Sequence, residues 1–190
     1  LFAQYGYAGI TIDEVIRAAG VARGTFYNYF NSSEELLDVV AAALSDELML
    51  AVDPLVNCYT DPAERVSCGV RTCLAIAAAY PRLAAFISRG GPAALEHSPF
   101  LREFLSRDLV AGINSGRFTV QDQQLAFDLV VGAVVAGFNT LWTRGAADDY
   151  IPELARAVLL SLGVNRATAS KISRQLLPPF ELAPHSIIHS

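Results

Sequence analysis

Cysteine is scarce in this 190-residue chain: there are three, an odd number. The opening shows neither a basic n-region nor a signal-type apolar core. Both features argue against a disulfide-stapled secreted fold and make the cytoplasm the expected compartment. Charge is scarce as well, at 17% against 53% hydrophobic residues, a composition of neither a disordered segment nor a coiled-coil rod. Long apolar runs are missing. The most apolar charge-free stretch, residues 129–142, falls short of the ~20 residues a membrane helix needs, so it reads as a buried or interface helix and no membrane partner is expected. Enzyme motifs are also lacking: there is no His-Glu-x-x-His, Gly-x-Ser-x-Gly or phosphate-binding glycine loop. No catalytic residue, metal or cofactor is assigned. His185 and His189 stand four apart in the tail, too few ligands for structural zinc. Cys68 and Cys73 are five apart on a helix and do not face each other, so Cys58, Cys68 and Cys73 read as buried small residues rather than a redox switch.

Helix signals fill the space that strands leave. Thr11-Ile12-Asp13-Glu14 is a capping box, with Ile12, Val15, Ile16 and Ala19 at helical spacing behind it. Ser32-Ser33-Glu34-Glu35 is a second box, opening a long stripe that Asp53-Pro54 should stop. Asp61-Pro62 opens a helix ending at Tyr80-Pro81, and a short apolar piece runs from there to the Gly90-Gly91-Pro92 break. Ser98-Pro99 starts a helix that Gly116 closes. Helices follow over 122–144, over 149–162 and from Asn165 to Leu177, before a polar, proline-containing tail over 178–190. The fold class is all-α, with about nine or ten helices.

Two short helices joined at Ala19-Gly20-Val21 have the helix-turn-helix layout, the glycine permitting a left-handed turn. In the second, Phe26 and Phe30 are i, i+4 partners facing inward, which leaves Arg23, Gly24, Thr25, Tyr27, Asn28 and Tyr29 exposed. Such a face offers base-edge donors, phosphate-binding hydroxyls and a glycine where a backbone can come close. Residues 2–15, 18–30 and 34–37 resemble the N-terminal domain of the tetracycline-repressor (TetR) family of transcriptional regulators. The match runs over residues 1 to about 45; the remaining helices fit that family's effector domain only in number and order. The resemblance implies that Thr11 and Tyr29 bind phosphate, Arg23 and Asn28 meet base edges, Gly24 approaches closely, and Tyr27 touches backbone or a thymine methyl. Position 33 departs from the family pattern: Ser33 stands where a phosphate-binding lysine is usual.

The expected organisation is a helix-turn-helix domain over 1–47, a helical effector-binding and dimerisation domain over 48–177, and a tail. Among the aromatic and polar residues of the second domain, Tyr80, Phe104, Asn114, Phe127, Phe138, Asn139 and Trp142 are candidates for an effector pocket. By the family resemblance, the helices over 122–144 and 149–162 pair with their symmetry mates. Gly132, Ala133, Ala136 and Gly137, with Leu154, Val158 and Leu162, are the candidate dimer interface. The expected partners are double-stranded DNA, a second copy of the chain and an apolar or amphipathic small molecule. One feature opposes this: residues 1–50 hold Arg17 and Arg23 against seven acids, an unusual balance for a nucleic-acid surface. It favours the alternative of a helical small-molecule-binding or scaffolding protein without DNA function.

Overall fold

The structure, a computed structural model, describes residues 11–90, 95, 98–145 and 147–189. Residues 2–10, which carry part of the family resemblance, and the Gly91-Pro92 break lie outside these. Among the described residues there are nine α-helices, one closing 3-10 turn and no strand.

The first helix, α1 (Ile12–Ala19), starts at the expected capping box and ends at Gly20, whose φ of 66° is left-handed. The short α2 (Arg23–Tyr27) follows. The long α3 (Ser33–Val56) begins at Ser32, whose hydroxyl accepts the Glu35 N–H at 3.2 Å. The box there is only half formed. Glu35 Oε2 accepts instead from the backbone N–H and side-chain amide of Asn31, at 2.7 and 2.9 Å. Pro54 does not stop α3, because its missing N–H falls in the last turn and leaves only the carbonyl of Leu50 short of a partner, at an exposed position that water reaches.

The centre of the molecule is α4 (Pro62–Ala79), capped by Asp61 and buried along most of its length. Around it pack α3, α6 (Pro99–Asn114), α7 (Gln123–Arg144), α8 (Tyr150–Ser161) and α9 (Arg166–Ser173). The remaining helix, α5 (Pro81–Gly90), lies chiefly along α7. By length and composition α7 could cross a membrane. Here it sits among α4, α5, α6 and α8, and its buried Val130, Val134 and Phe138 belong to a single core. Phe118, in the loop after α6, closes that core against Gly112; a Cβ there would lie 2.1 Å from its ring.

One C-terminal expectation needs correction. Helix α9 stops at Ser173 rather than Leu177, because the buried Arg71 donates to the Gln175 carbonyl at 2.5 Å and Gln175 Nε2 donates to Glu64 at 2.7 Å. These bonds draw the chain out of the helix onto α4. The tail packs back onto the body. Ile188 is buried, Ser186 Oγ donates to the Glu47 carboxylate, and the Ile187 N–H donates to the same group at 3.0 Å. This fixes a strap onto the middle of α3.

Candidate nucleic-acid interface and internal cavity

Among the described residues, helices α1 and α2 share little apolar contact. Among residues 11–30 only Phe26 is buried, packed against Phe30 and edge-on to Tyr27. The expected reading face is open: Tyr27 is 49% and Tyr29 74% exposed, and Arg23, Gly24, Thr25 and Asn28 are exposed too. Gly24 has no internal reason to be glycine, since its φ is not left-handed and a Cβ would meet nothing within 4 Å.

Three of the polar groups expected to meet DNA are already engaged by carboxylates of the chain. Arg23 Nη2 lies 2.8 Å from Asp13 Oδ1. The Thr11 hydroxyl donates to Glu14 Oε2 at 2.9 Å and accepts the Glu14 N–H at 3.3 Å. Hydrogen bonds from the Thr11 backbone N–H and hydroxyl hold the Glu14 carboxyl below its usual range. The half-buried Ser33, on the first turn of α3, donates to Glu34 at 3.4 Å.

A cavity of about 70 Å³ lies between α3, α4, α6 and α7. Its walls are mostly apolar, including Met49 and Val52 of α3, Val70 of α4, Phe104 of α6 and Val134 and Phe138 of α7. Cys73 is part of the wall, and burial pushes its thiol up to about 12, so it stays neutral and behaves as a small apolar group. Cys68 is buried as well, whereas Cys58 is exposed, contrary to expectation.

The polar lining is Ser45, Asp53, Arg65 and Asp108. Arg65 Nη2 pairs with Asp108 Oδ1 at 2.7 Å and donates to Asn57 at 2.8 Å, while its buried Nε has no partner. Arg107 joins Asp53, at 2.7 Å, to Asp108, at 2.9 Å. Hydrogen bonds from Arg107 to Asp108 first, and then to Asp53, outweigh its desolvation and hold it firmly protonated. The cavity thus joins apolar walls to a small set of fixed charges.

Of the seven residues proposed from sequence for a pocket, Phe104 and Phe138 line this cavity. The other five lie elsewhere. Asn139 accepts from Ser88 at 2.8 Å between α5 and α7, Asn114 is exposed at the end of α6, and Phe127 lies under Arg102. Trp142 borders a separate cleft with Pro81 and Ala84, and Tyr80 caps the end of α4. The four polar lining residues were missed. Their signal was an ionisable residue set within an apolar stripe, as Asp53 and Asp108 are.

Of the candidate interface residues, Gly132 and Ala136 are exposed on α7, with Ala133 half-buried beside them. Gly137 turns inward, where a Cβ would come within 2.6 Å of Leu74 and 2.9 Å of Leu154. Val158 and Leu162 are buried in the protomer's own core.

Comparison with known proteins gives this arrangement its context. Residues 61–175 match the family described as tetracyclin repressor-like, C-terminal domain, and residues 1–40 match the bacterial regulatory proteins of the tetR family. The chain belongs to the TetR family. Among curated relatives, the HTH-type transcriptional regulator EthR of Mycolicibacterium smegmatis is 29% identical over 161 residues, 82% of this chain and 62% of EthR. The uncharacterised HTH-type transcriptional regulator YhgD of Bacillus subtilis is 38% identical over 52 residues, 27% of each protein. The chain therefore spans less than two thirds of the length of these curated relatives. The solved structure of RolR in complex with resorcinol superposes with a TM-score of 0.76 at 30% identity, covering 96% of this chain and 90% of RolR.

Proposed function

We propose that the protein is a cytoplasmic, ligand-responsive repressor that binds a palindromic operator as a homodimer, with α2 reading the major groove. The observation that carries this reading is the α2 face itself. Its tyrosines are exposed, and its Gly24 serves no need of the protein's own backbone, although glycine in a helix costs roughly 0.5–1 kcal/mol relative to alanine. A residue placed at such a cost without internal benefit suits close approach by an external partner. Thr11, Tyr29 and Ser33 would meet phosphates, Arg23 and Asn28 base edges, and Tyr27 the backbone or a thymine methyl, with Thr25 on the same face.

Only 33% of the most apolar stretch of α7 is buried in the protomer. Exposed Leu125, Gly132 and Ala136 leave a face that a second copy would cover. The two-fold axis of such a dimer would set two α2 helices about 34–36 Å apart, one turn of DNA.

The effector proposed is a small phenolic ring, a class suggested by the resorcinol bound to RolR. Its hydroxyls would donate to Asp53 or Asp108 while its ring lay among the apolar walls. At about 70 Å³ the cavity is roughly half the ~150 Å³ that admits a benzene ring. A ring therefore enters only by displacing wall side chains, six of them on α3, the helix that continues to the reading domain. Binding would favour an expanded state and weaken DNA affinity by the difference in ligand affinity between the two states.

The test starts from duplexes selected by the protein out of a random library, followed by fluorescence anisotropy with and without resorcinol and by light scattering. A dimer that enriches a palindrome and releases it with a phenolic ligand supports the reading. Failure to enrich any duplex would refute it in favour of a binding module without DNA function.

A further inference from the structure

The seven acids of residues 1–50 look out of place beside a polyanion, and the structure shows where one of them points. Glu14 closes the capping box of α1, Glu35 ties Asn31 to the start of α3, and Glu34 sits at the α3 N-terminus, where a negative charge is favourable. Asp13 does more than occupy a first turn. Its carboxylate reaches across to α2 and pairs with Arg23, ten positions away, at 2.8 Å. Both side chains are largely exposed, at 59% for Arg23 and 60% for Asp13. Resting on the DNA-reading function above, we infer that Asp13 tempers DNA affinity by competing for Arg23: it occupies Arg23 as a phosphate would, so that the arginine reaches DNA only by giving up that pair.

The physical logic is one of competing partners. On DNA of arbitrary sequence, an unpaired arginine on the reading face would take a phosphate oxygen, adding affinity without information. With Asp13 beside it, Arg23 already has one carboxylate partner, so exchanging that carboxylate for one phosphate gains little. A guanine offers two acceptors, O6 and N7, in a geometry that suits the guanidinium fork. The pair thus weakens binding to both kinds of DNA, but only on arbitrary sequence does its removal add a phosphate contact.

The experiment compares wild type with Asp13→Asn on two probes: a duplex selected from a random library by the wild-type protein, and a random-sequence duplex of the same length. Each is titrated at several salt concentrations. On random DNA, Asp13→Asn should tighten binding roughly five- to tenfold and steepen the salt dependence of log K by about 0.9, one added phosphate contact. On the selected duplex binding should tighten comparably while the slope stays as in wild type, because there Arg23 meets a base rather than a phosphate. In an Arg23→Gln background, Asp13→Asn should leave both slopes unchanged. Asp13→Gln, checked like the first variant by thermal melting, provides a second neutral side chain. A steeper slope on both duplexes, no steepening on random DNA, or a slope change that persists without Arg23, would overturn the inference while leaving DNA binding intact. Failure of wild type to select any duplex would overturn the DNA reading itself, and this inference with it.

Discussion

Between residues 11 and 30 only Phe26 is buried, whereas α4 buries most of its residues, including polar Ser67, Thr72 and Arg71. Among the described residues, the first region shows short helices with caps, one aromatic cluster and an exposed ion pair; the second is close-packed, with Leu74 and Ile76 wholly inaccessible. Stability in this molecule is therefore concentrated in the body, and chemistry facing outward is concentrated in the N-terminal helices. Substitutions in the two regions should separate cleanly into changes of folding and changes of recognition.

The hardest test of that separation is Phe118→Ala. Phe118 is 1% exposed and fills the space above Gly112, so its loss should cost about 3–5 kcal/mol. At roughly 2–4 °C per kcal/mol for a chain of this size, calorimetry should register a Tm drop of about 6–20 °C. A drop of only a degree or two would mean the body is not the rigid half. Arg23→Ala should do the reverse. It should cost about 1–3 kcal/mol on the selected operator and far less on random DNA, with Tm unchanged. Equal losses on both duplexes would reduce Arg23 to a backbone contact.

Gly24→Ala sharpens the comparison, because its two effects should have opposite signs. The free protein should gain roughly 0.5–1 kcal/mol in stability, while operator affinity falls as the new methyl meets the DNA. Unaltered affinity would show that α2 does not approach closely at that point.

The smallest effect belongs to Asp61, whose carboxylate takes two bonds from Arg117, at 2.8 and 2.6 Å. Desolvation pushes its pKa up, but the Arg117 hydrogen bonds and the Ala63 N–H outweigh it, so the folded value lies below the ordinary one. The stabilisation is present above the unfolded-state pKa of about 4 and disappears as the pH falls through the lower folded value. Asp61→Asn should therefore lower Tm slightly at neutral pH and converge with wild type in acid. Parallel curves down to about pH 2 would exclude this linkage.

The helical architecture was legible in the sequence because local signals set most helix boundaries. The boxes or caps at Thr11, Ser32, Asp61, Ser98, Asp122 and Asn165 all precede observed helices. The reading of the α2 face was local too, because the spacing of Phe26 and Phe30 determines what else is exposed. The cavity was not legible. Its polar lining comes from three separate helices, and no spacing rule brings Asp53, Arg65 and Asp108 together. Nor does periodicity say which side of an apolar helix faces its own protomer, as Gly137 turning inward and Gly132 outward illustrates. The early end of α9 was equally hidden, since it depends on an arginine 104 positions from the carbonyl it binds.

The strap on Glu47 has a mechanical consequence. Its neighbour Asp46 accepts from Ser98 at 2.7 Å, so α3 is gripped at adjacent positions by elements from two other parts of the chain. A rod held at one point turns about it. With a rise of about 1.5 Å per residue, the arm from this fulcrum to Ser33 is about 20 Å and the arm to Asp53 about 10 Å. If α3 pivots as a rigid body, a shift of about 1 Å imposed at the cavity becomes roughly 2 Å, in the opposite direction, where α3 meets the reading domain. The tail would then act as the bearing that converts a small swelling of the core into a larger swing at the surface.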